Sequence, residues 1–188
     1  MTADSPMLMD VYRGWEGYQT SLVKAITPLS SEQLTFRPAP HLSSVEEIAR
    51  HIIGGRLNWF VCMQAPGSAE LAKQVPQWKP DEDGNRLVVE EALATGPTEL
   101  VEWLEATWQM IEATLTQWSV ADLEQDYRLT YRGTTYAISR QWTLWRILSH
   151  DMHHGGQLSV LLYMQGVDLP ELGDRGGHLT ELSLAEPA

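Results

Sequence analysis

Four stretches of this chain repeat apolar residues every three or four positions, and each is bounded by residues that stop a helix. That spacing is the α-helical one, and four such stripes leave water most readily by packing against one another. The first runs from about Met7 to Ile26 through Val11, Trp15, Tyr18 and Leu22, and Pro28 ends it. The second follows His41-Leu42-Ser43-Ser44, where Ser44 and Glu47 form a capping-box pattern, and passes Val45, Ile48, Ile52, Trp59, Phe60 and Met63 before Pro66-Gly67. The third opens at Gly96-Pro97 and carries Leu100, Leu104, Trp108, Ile111 and Leu115. The fourth spans from near Ser139 to Gln165, with Gly166 as its stop. An all-α helical bundle is the expected fold.

Two segments interrupt this pattern. Residues 65–95 are rich in Pro, Gly and acids, and are long for a structureless connection. Short helical turns are expected there. Because the segment leaves the end of the second helix and must return, it is expected near the mouth of a site, with its acids and Trp78 shaping the opening. A solvent-exposed excursion and a dimer contact are the competing expectations. Tyr127–Tyr131 and Thr134–Ile138 flank Arg132-Gly133, which reads as a small β-hairpin. Residues 167–188 form a Gly-rich, then acidic, irregular tail. No repeat or boundary divides the chain, so residues 1–188 are read as one domain. A chain of this length hides roughly 70% of its unfolded surface and needs no disulfide or metal simply to fold.

Charge and cysteine content narrow the function. Acidic residues outnumber basic ones 25 to 13, a formal net charge of −12. General nucleic-acid binding is thereby disfavoured, since phosphate affinity needs accumulated Lys and Arg, and anionic membrane surfaces are disfavoured likewise. Cys62, the single cysteine, excludes an internal disulfide and a Cys-based zinc finger. Between Val61 and Met63 it is expected to be buried and inert. No apolar run reaches a membrane span and Met1 to Asp10 lack a signal-peptide core, so a cytoplasmic protein is expected. Eight tryptophans stand beside two phenylalanines, so large rings are expected to fill the core or line a cavity.

Three of six histidines fall within five residues: His150, His153 and His154. His150 and His154, four apart, project from one helix face with Cβ atoms about 6 Å apart. Two imidazoles so placed can share one ion at about 2.1 Å each for zinc. Ile147, Leu158 and Leu161 lie on the same stripe, which turns the pair inward; structural hydrogen bonding is the alternative reading. His51, one turn after Ile48, offers a third imidazole. Three neutral imidazoles leave zinc, nickel or iron(II) its full charge and room for water or a thiol. His153 points about 100° away from His154 and is expected to support the site or an interface rather than bind the ion. Gly155 and Gly156 each cost a helix about 1 kcal/mol, which predicts close approach of another backbone, with Gln157 hydrogen-bonding across it.

His51 after Ser44-Val45-Glu46-Glu47-Ile48, and His150-Asp151-Met152-His153-His154-Gly155-Gly156-Gln157-Leu158 ahead of Gly166, resemble the DinB/YfiT-like superfamily of metalloenzymes. The resemblance covers most of the chain. It implies an up-down-down-up four-helix bundle holding a divalent ion through His51, His150 and His154. It also implies use of a low-molecular-weight thiol for transfer or isomerisation, since characterised relatives include enzymes that work this way. The long 65–95 insertion and the His153-His154 neighbours depart from the family pattern. A small-molecule substrate and a homodimer are the expected partners.

Two other readings stand beside this one. His150-Asp151-x-x-His154 differs from the zinc-protease His-Glu-x-x-His only by a shorter acid, with His178 as the downstream ligand; Asp would struggle to reach a bound water. A non-catalytic, metal-stabilised binding or dimerisation module is the other. No Gly-x-Ser-x-Gly or phosphate loop is present. Finally, Trp142, Arg146, His150 and His154 recur every four residues, forming one stripe. Arg146 offers a planar donor fork to an anionic group of a thiol, with pairing to a neighbouring carboxylate as the alternative.

Overall fold

The structure, a computed structural model, describes residues 7–169 and Leu172. In chain order the elements are α1 (Leu8–Val11), α2 (Arg13–Ile26), α3 (Ser31–Thr35), α4 (Val45–Cys62), α5 (Ser68–Ala72), β1 (Trp78–Pro80) and β2 (Arg86–Val88). A 3₁₀ turn (Glu90–Ala92) leads to α6 (Pro97–Gln117), α7 (Val120–Leu123), β3 (Asp126–Tyr131), β4 (Thr134–Ser139) and α8 (Arg140–Tyr163). The protein is therefore mostly helical with two small antiparallel hairpins.

The expected helix starts are made by their side chains. Ser44 Oγ accepts from the Glu47 amide at 3.2 Å while a Glu47 carboxylate oxygen accepts from the Ser44 amide at 2.9 Å, fixing the first turn of α4. Ser139 Oγ accepts from the Trp142 amide and opens α8. The first expected helix is instead two, because Tyr12 leaves helical geometry (ψ 16°) between α1 and α2. Residues 65–95 hold more order than short turns, since β1 pairs with β2 there. The second hairpin turns at Arg132 (φ 51°) and Gly133 (φ 73°), both left-handed, as a two-residue hairpin turn requires.

Leu22 and Ile26 of α2, Ile52, Leu57 and Phe60 of α4, Leu100 and Ile111 of α6, and Leu144 and Leu162 of α8 are fully buried in one core. The helices α4 and α8 run antiparallel. His51 lies beside His154, Gly55 against His150, and Trp59 against Trp142. The tryptophans divide: Trp15 is buried, Trp118 nearly so, and Trp145 is 65% exposed. None of the described helices is long and apolar enough to cross a membrane. His178, the downstream ligand of the protease reading, lies outside the described residues, as does most of the tail.

A charged pair sits at the centre of this apolar core. Arg56 and Asp151, both wholly buried, meet with Nη2 and Oδ2 2.8 Å apart, and Arg56 Nε donates to the same oxygen at 2.9 Å. Trp15 Nε1 also donates to Asp151 Oδ2, at 3.0 Å, and Arg56 Nη1 donates to Gln19 Oε1 at 2.7 Å and to Thr107 Oγ1 at 3.3 Å. One network thus ties α2, α4, α6 and α8. Burial alone would raise the Asp151 pKa, but the Arg56 charge and these donors hold it below the usual carboxylate value. Asp151 is accordingly committed to Arg56 in the core, with its second oxygen 3.8 Å from His150 Nδ1, and is not placed as the base that the protease-like reading needs.

The two helical glycines have different reasons. A Cβ on Gly155 would lie 1.7 Å from the Tyr18 hydroxyl, which donates to the Asp151 carbonyl at 3.0 Å. The close neighbour is therefore a side chain, not the expected backbone. Gly156 faces open space.

Asp151→Asn should cost about 3–5 kcal/mol in a denaturant titration, because it leaves the Arg56 charge buried without its partner. Asp10→Asn, at an exposed pair with Arg13, should change stability little. The glycines should separate by sign: Gly155→Ala destabilises by displacing Tyr18, whereas Gly156→Ala stabilises by about 0.5–1 kcal/mol.

Candidate metal centre

His51 from α4 and His150 and His154 from α8 converge, offering nitrogen atoms that all lie within 4.8 Å of one another. Their ring centroids are 4.4–4.9 Å apart. The approach depends on Gly55, where a Cβ would stand 2.6 Å from His150 Cε1. Any side chain there would push the His150 ring off its place.

Each imidazole turns its Nδ1 toward an oxygen. His51 Nδ1 lies 2.9 Å from Glu90 Oε1, and His154 Nδ1 lies 2.7 Å from Gln157 Oε1. His150 Nδ1 is buried without a hydrogen bond and faces the equally unpartnered Asp151 Oδ1 at 3.8 Å. A proton on Nδ1 of His51 and of His154 would serve these acceptors and leave Nε2 as the free lone pair, the tautomer a metal ligand needs. The donor set therefore fits a divalent ion of imidazole preference such as zinc, nickel or iron. Burial, with the neighbouring histidines adding to it, pushes the His154 pKa down to about 4, so this ring is neutral at pH 7. The Glu90 hydrogen bond raises that of His51.

Gln157 thus acts along its own helix, on His154, rather than across a helix contact. His153 is exposed, stacks edge-on against His154 at 4.8 Å between centroids, and is not among the three converging rings. Glu90 is the residue that sequence reasoning missed. It stands 39 positions from His51 and reaches it because the 3₁₀ turn ends the 65–95 segment against α4. The acid-rich composition of that segment was the available signal, but it did not single out which acid. Trp78, expected at the opening, instead lies under Arg86, 4.0 Å from its guanidinium, and donates to the Ala72 carbonyl.

Two cavities flank the histidines along the α4–α8 groove. A polar one of about 500 Å³ is bounded by His51, His154, Glu90, Glu91, Arg50 and Gln157. A larger one of about 830 Å³ lies toward the start of α8, against Asn58, Trp59, Trp142 and Arg146, beneath both hairpins. Trp142 and Arg146 therefore share the histidine stripe but open onto a different cavity. The Arg146 guanidinium lies 5.0 Å from the Trp59 ring and 5.5 Å from the Trp142 ring, and pairs with no carboxylate among the described residues. Cys62 is half-buried and borders this larger cavity, rather than being lost in the core; burial and Asp81 raise its thiol pKa, which disfavours the reactive thiolate.

The sequence model of the DinB superfamily matches residues 15–158, which include all three converging histidines, and the chain belongs to that superfamily. Three solved structures share its fold. A DinB-like protein from Bacillus cereus ATCC 10987 is 18% identical with a TM-score of 0.62, over 84% of this chain and 92% of its own. A DinB-like protein from Bacillus subtilis is 19% identical with a TM-score of 0.59, over 86% and 96%. A conserved protein from Enterococcus faecalis is 14% identical with a TM-score of 0.61, over 84% and 96%. No curated protein matches the chain.

Glu90→Ala should weaken divalent-metal affinity about 10–100-fold, the usual effect of losing the group that orients a ligand histidine. Gly55→Ala should weaken it too, by displacing His150. Competition against a chromogenic chelator measures both, and unchanged affinity in either variant contradicts the geometry assigned to that histidine.

Proposed function

We propose that this DinB-superfamily protein binds a divalent metal ion through His51, His150 and His154, and that it is a transferase acting on a low-molecular-weight thiol. The observation that carries the reading is the convergence of three imidazoles, two of them with Nδ1 within hydrogen-bond distance of Glu90 and Gln157. A bound ion would supply a Lewis-acid centre that favours thiolate over thiol near neutral pH. The chain's own residues do the rest. Glu90 and Gln157 fix the ring orientations, His153 and Gln157 flank His154, and Trp142 and Arg146 face the substrate. The polar cavity over His51 and His154 is of a size for a small thiol.

Further parts of the reading follow the family resemblance. They are an up-down-down-up order of the long helices, a cytoplasmic setting and a homodimer. The exposed Trp145, Met152, Val160 and Tyr163 along α8 support the last, since an apolar helix face of this kind is commonly covered by a partner.

Protein purified without a His tag should contain near-stoichiometric metal by elemental analysis. His51→Ala, His150→Ala or His154→Ala should lose most of it, and His153→Ala should not. Equal loss in His153→Ala defeats the ligand assignment. The metal-loaded protein should then consume a thiol such as glutathione, bacillithiol or mycothiol in the presence of an electrophile. Tight metal binding with no turnover of any of them would favour a non-catalytic, metal-stabilised module.

A further inference from the structure

The cavity of about 830 Å³ is built from three parts of the chain and is separate in character from the polar space over His51 and His154. Its floor is the α4–α8 groove at Asn58, Trp59, Trp142 and Arg146. Its roof is the pair of hairpins, whose tips are latched together. Asp83 accepts from the Arg132 and Gly133 amides at 2.6 and 2.7 Å, and Asn85 Nδ2 donates to the Thr130 carbonyl at 2.8 Å. Segments about 45–50 positions apart in sequence therefore hold the roof in place.

The chemistry of the wall is selective. Leu87, Leu129 and Ile138 are apolar, and Tyr131, Tyr136 and Trp142 border the cavity while 55%, 48% and 47% exposed. Flat rings left open to water around a concave space suit a flat apolar guest. Of the acids on the wall, Asp81 is engaged by the Asp83 and Asn85 amides and the Asn85 side chain, and Asp126 is exposed at the start of β3. Arg146 is the basic residue on the wall. Arg146 is exposed, its guanidinium lies 5.0 and 5.5 Å from the Trp59 and Trp142 rings, and among the described residues it has no carboxylate partner. A guanidinium set against two indole rings, with no acidic partner among the described residues, suits a carboxylate carried on an aromatic body.

We infer that this cavity binds an aromatic carboxylate, with the carboxylate on Arg146 and the ring against Trp59, Trp142 and the hairpin tyrosines. Four residues of α8, about 6 Å, separate Arg146 from His150, so a ligand anchored there extends toward the histidines. The inference rests on the proposed function only in treating Arg146 as substrate-facing. It assigns to the acceptor the anionic group that the sequence alone would give to the thiol.

The test uses 1-naphthoate and its uncharged analogue 1-naphthylmethanol, titrated calorimetrically into the full chain. Naphthoate should bind at one saturable site about tenfold more tightly than the alcohol. Arg146→Gln should remove that preference while metal content stays unchanged, and His51→Ala should lose metal yet keep the preference. Arg146→Lys, which keeps the charge but not the planar fork, should retain only part of it. Equal affinity of the two probes for the wild-type protein overturns the inference, as does an undiminished preference in Arg146→Gln or no naphthoate binding at millimolar concentration. Each of these results leaves the metal and thiol measurements independent.

Discussion

The Arg56–Asp151 pair is the contact around which the bundle is arranged. A charge pair without solvent access depends on further donors and acceptors around it, and here Trp15 and Gln19 of α2 and Thr107 of α6 supply them, leaving Asp151 Oδ1 to face His150. The network therefore fixes the rotation of α8 about its axis as well as its position. With Asp151 directed inward, the flanking His150 and His154 must face the groove shared with α4. Tyr18 pins the same turn through the Asp151 carbonyl, over a glycine that leaves it room. Site geometry is thus set by contacts on the far side of the helix.

This explains what the sequence revealed and what it did not. The long helices were legible because their stripes are periodic and their ends carry local signals, as Ser44 with Glu47 and Gly166 show. The three histidines were legible because two share a helical register and the third sits on another apolar stripe. Asp151 was visible only as a neighbour of His150, and its near match to a protease signature drew attention to the wrong chemistry. Its true role depends on Arg56, 95 positions away, and no local pattern joins them.

Glu90 was hidden for a related reason. The 65–95 segment lacks periodicity, so its composition located acids near the site without ordering them. The β1–β2 hairpin within it has only three residues per strand, too short for alternation to stand out. Arg146 was found by its spacing, but spacing along a helix does not show which cavity a side chain borders. Two concave spaces open along one groove, and the tryptophan pair Trp59–Trp142 marks the aromatic one.

The latch between the hairpin tips has a consequence for how such a chain can change. The 65–95 segment gives Leu71, Val75, Val88 and Leu93 to the core, while other residues of it supply Glu90 to one cavity and Asp81, Asn85 and Leu87 to the other. Residues that govern what enters the two spaces are therefore largely distinct from those that keep the molecule folded. Substitutions in the segment can reshape both chambers while Arg56 and Asp151 stay untouched. Within the segment the residues that face the chambers are not those that enter the core, so the guest can be exchanged without rebuilding the frame.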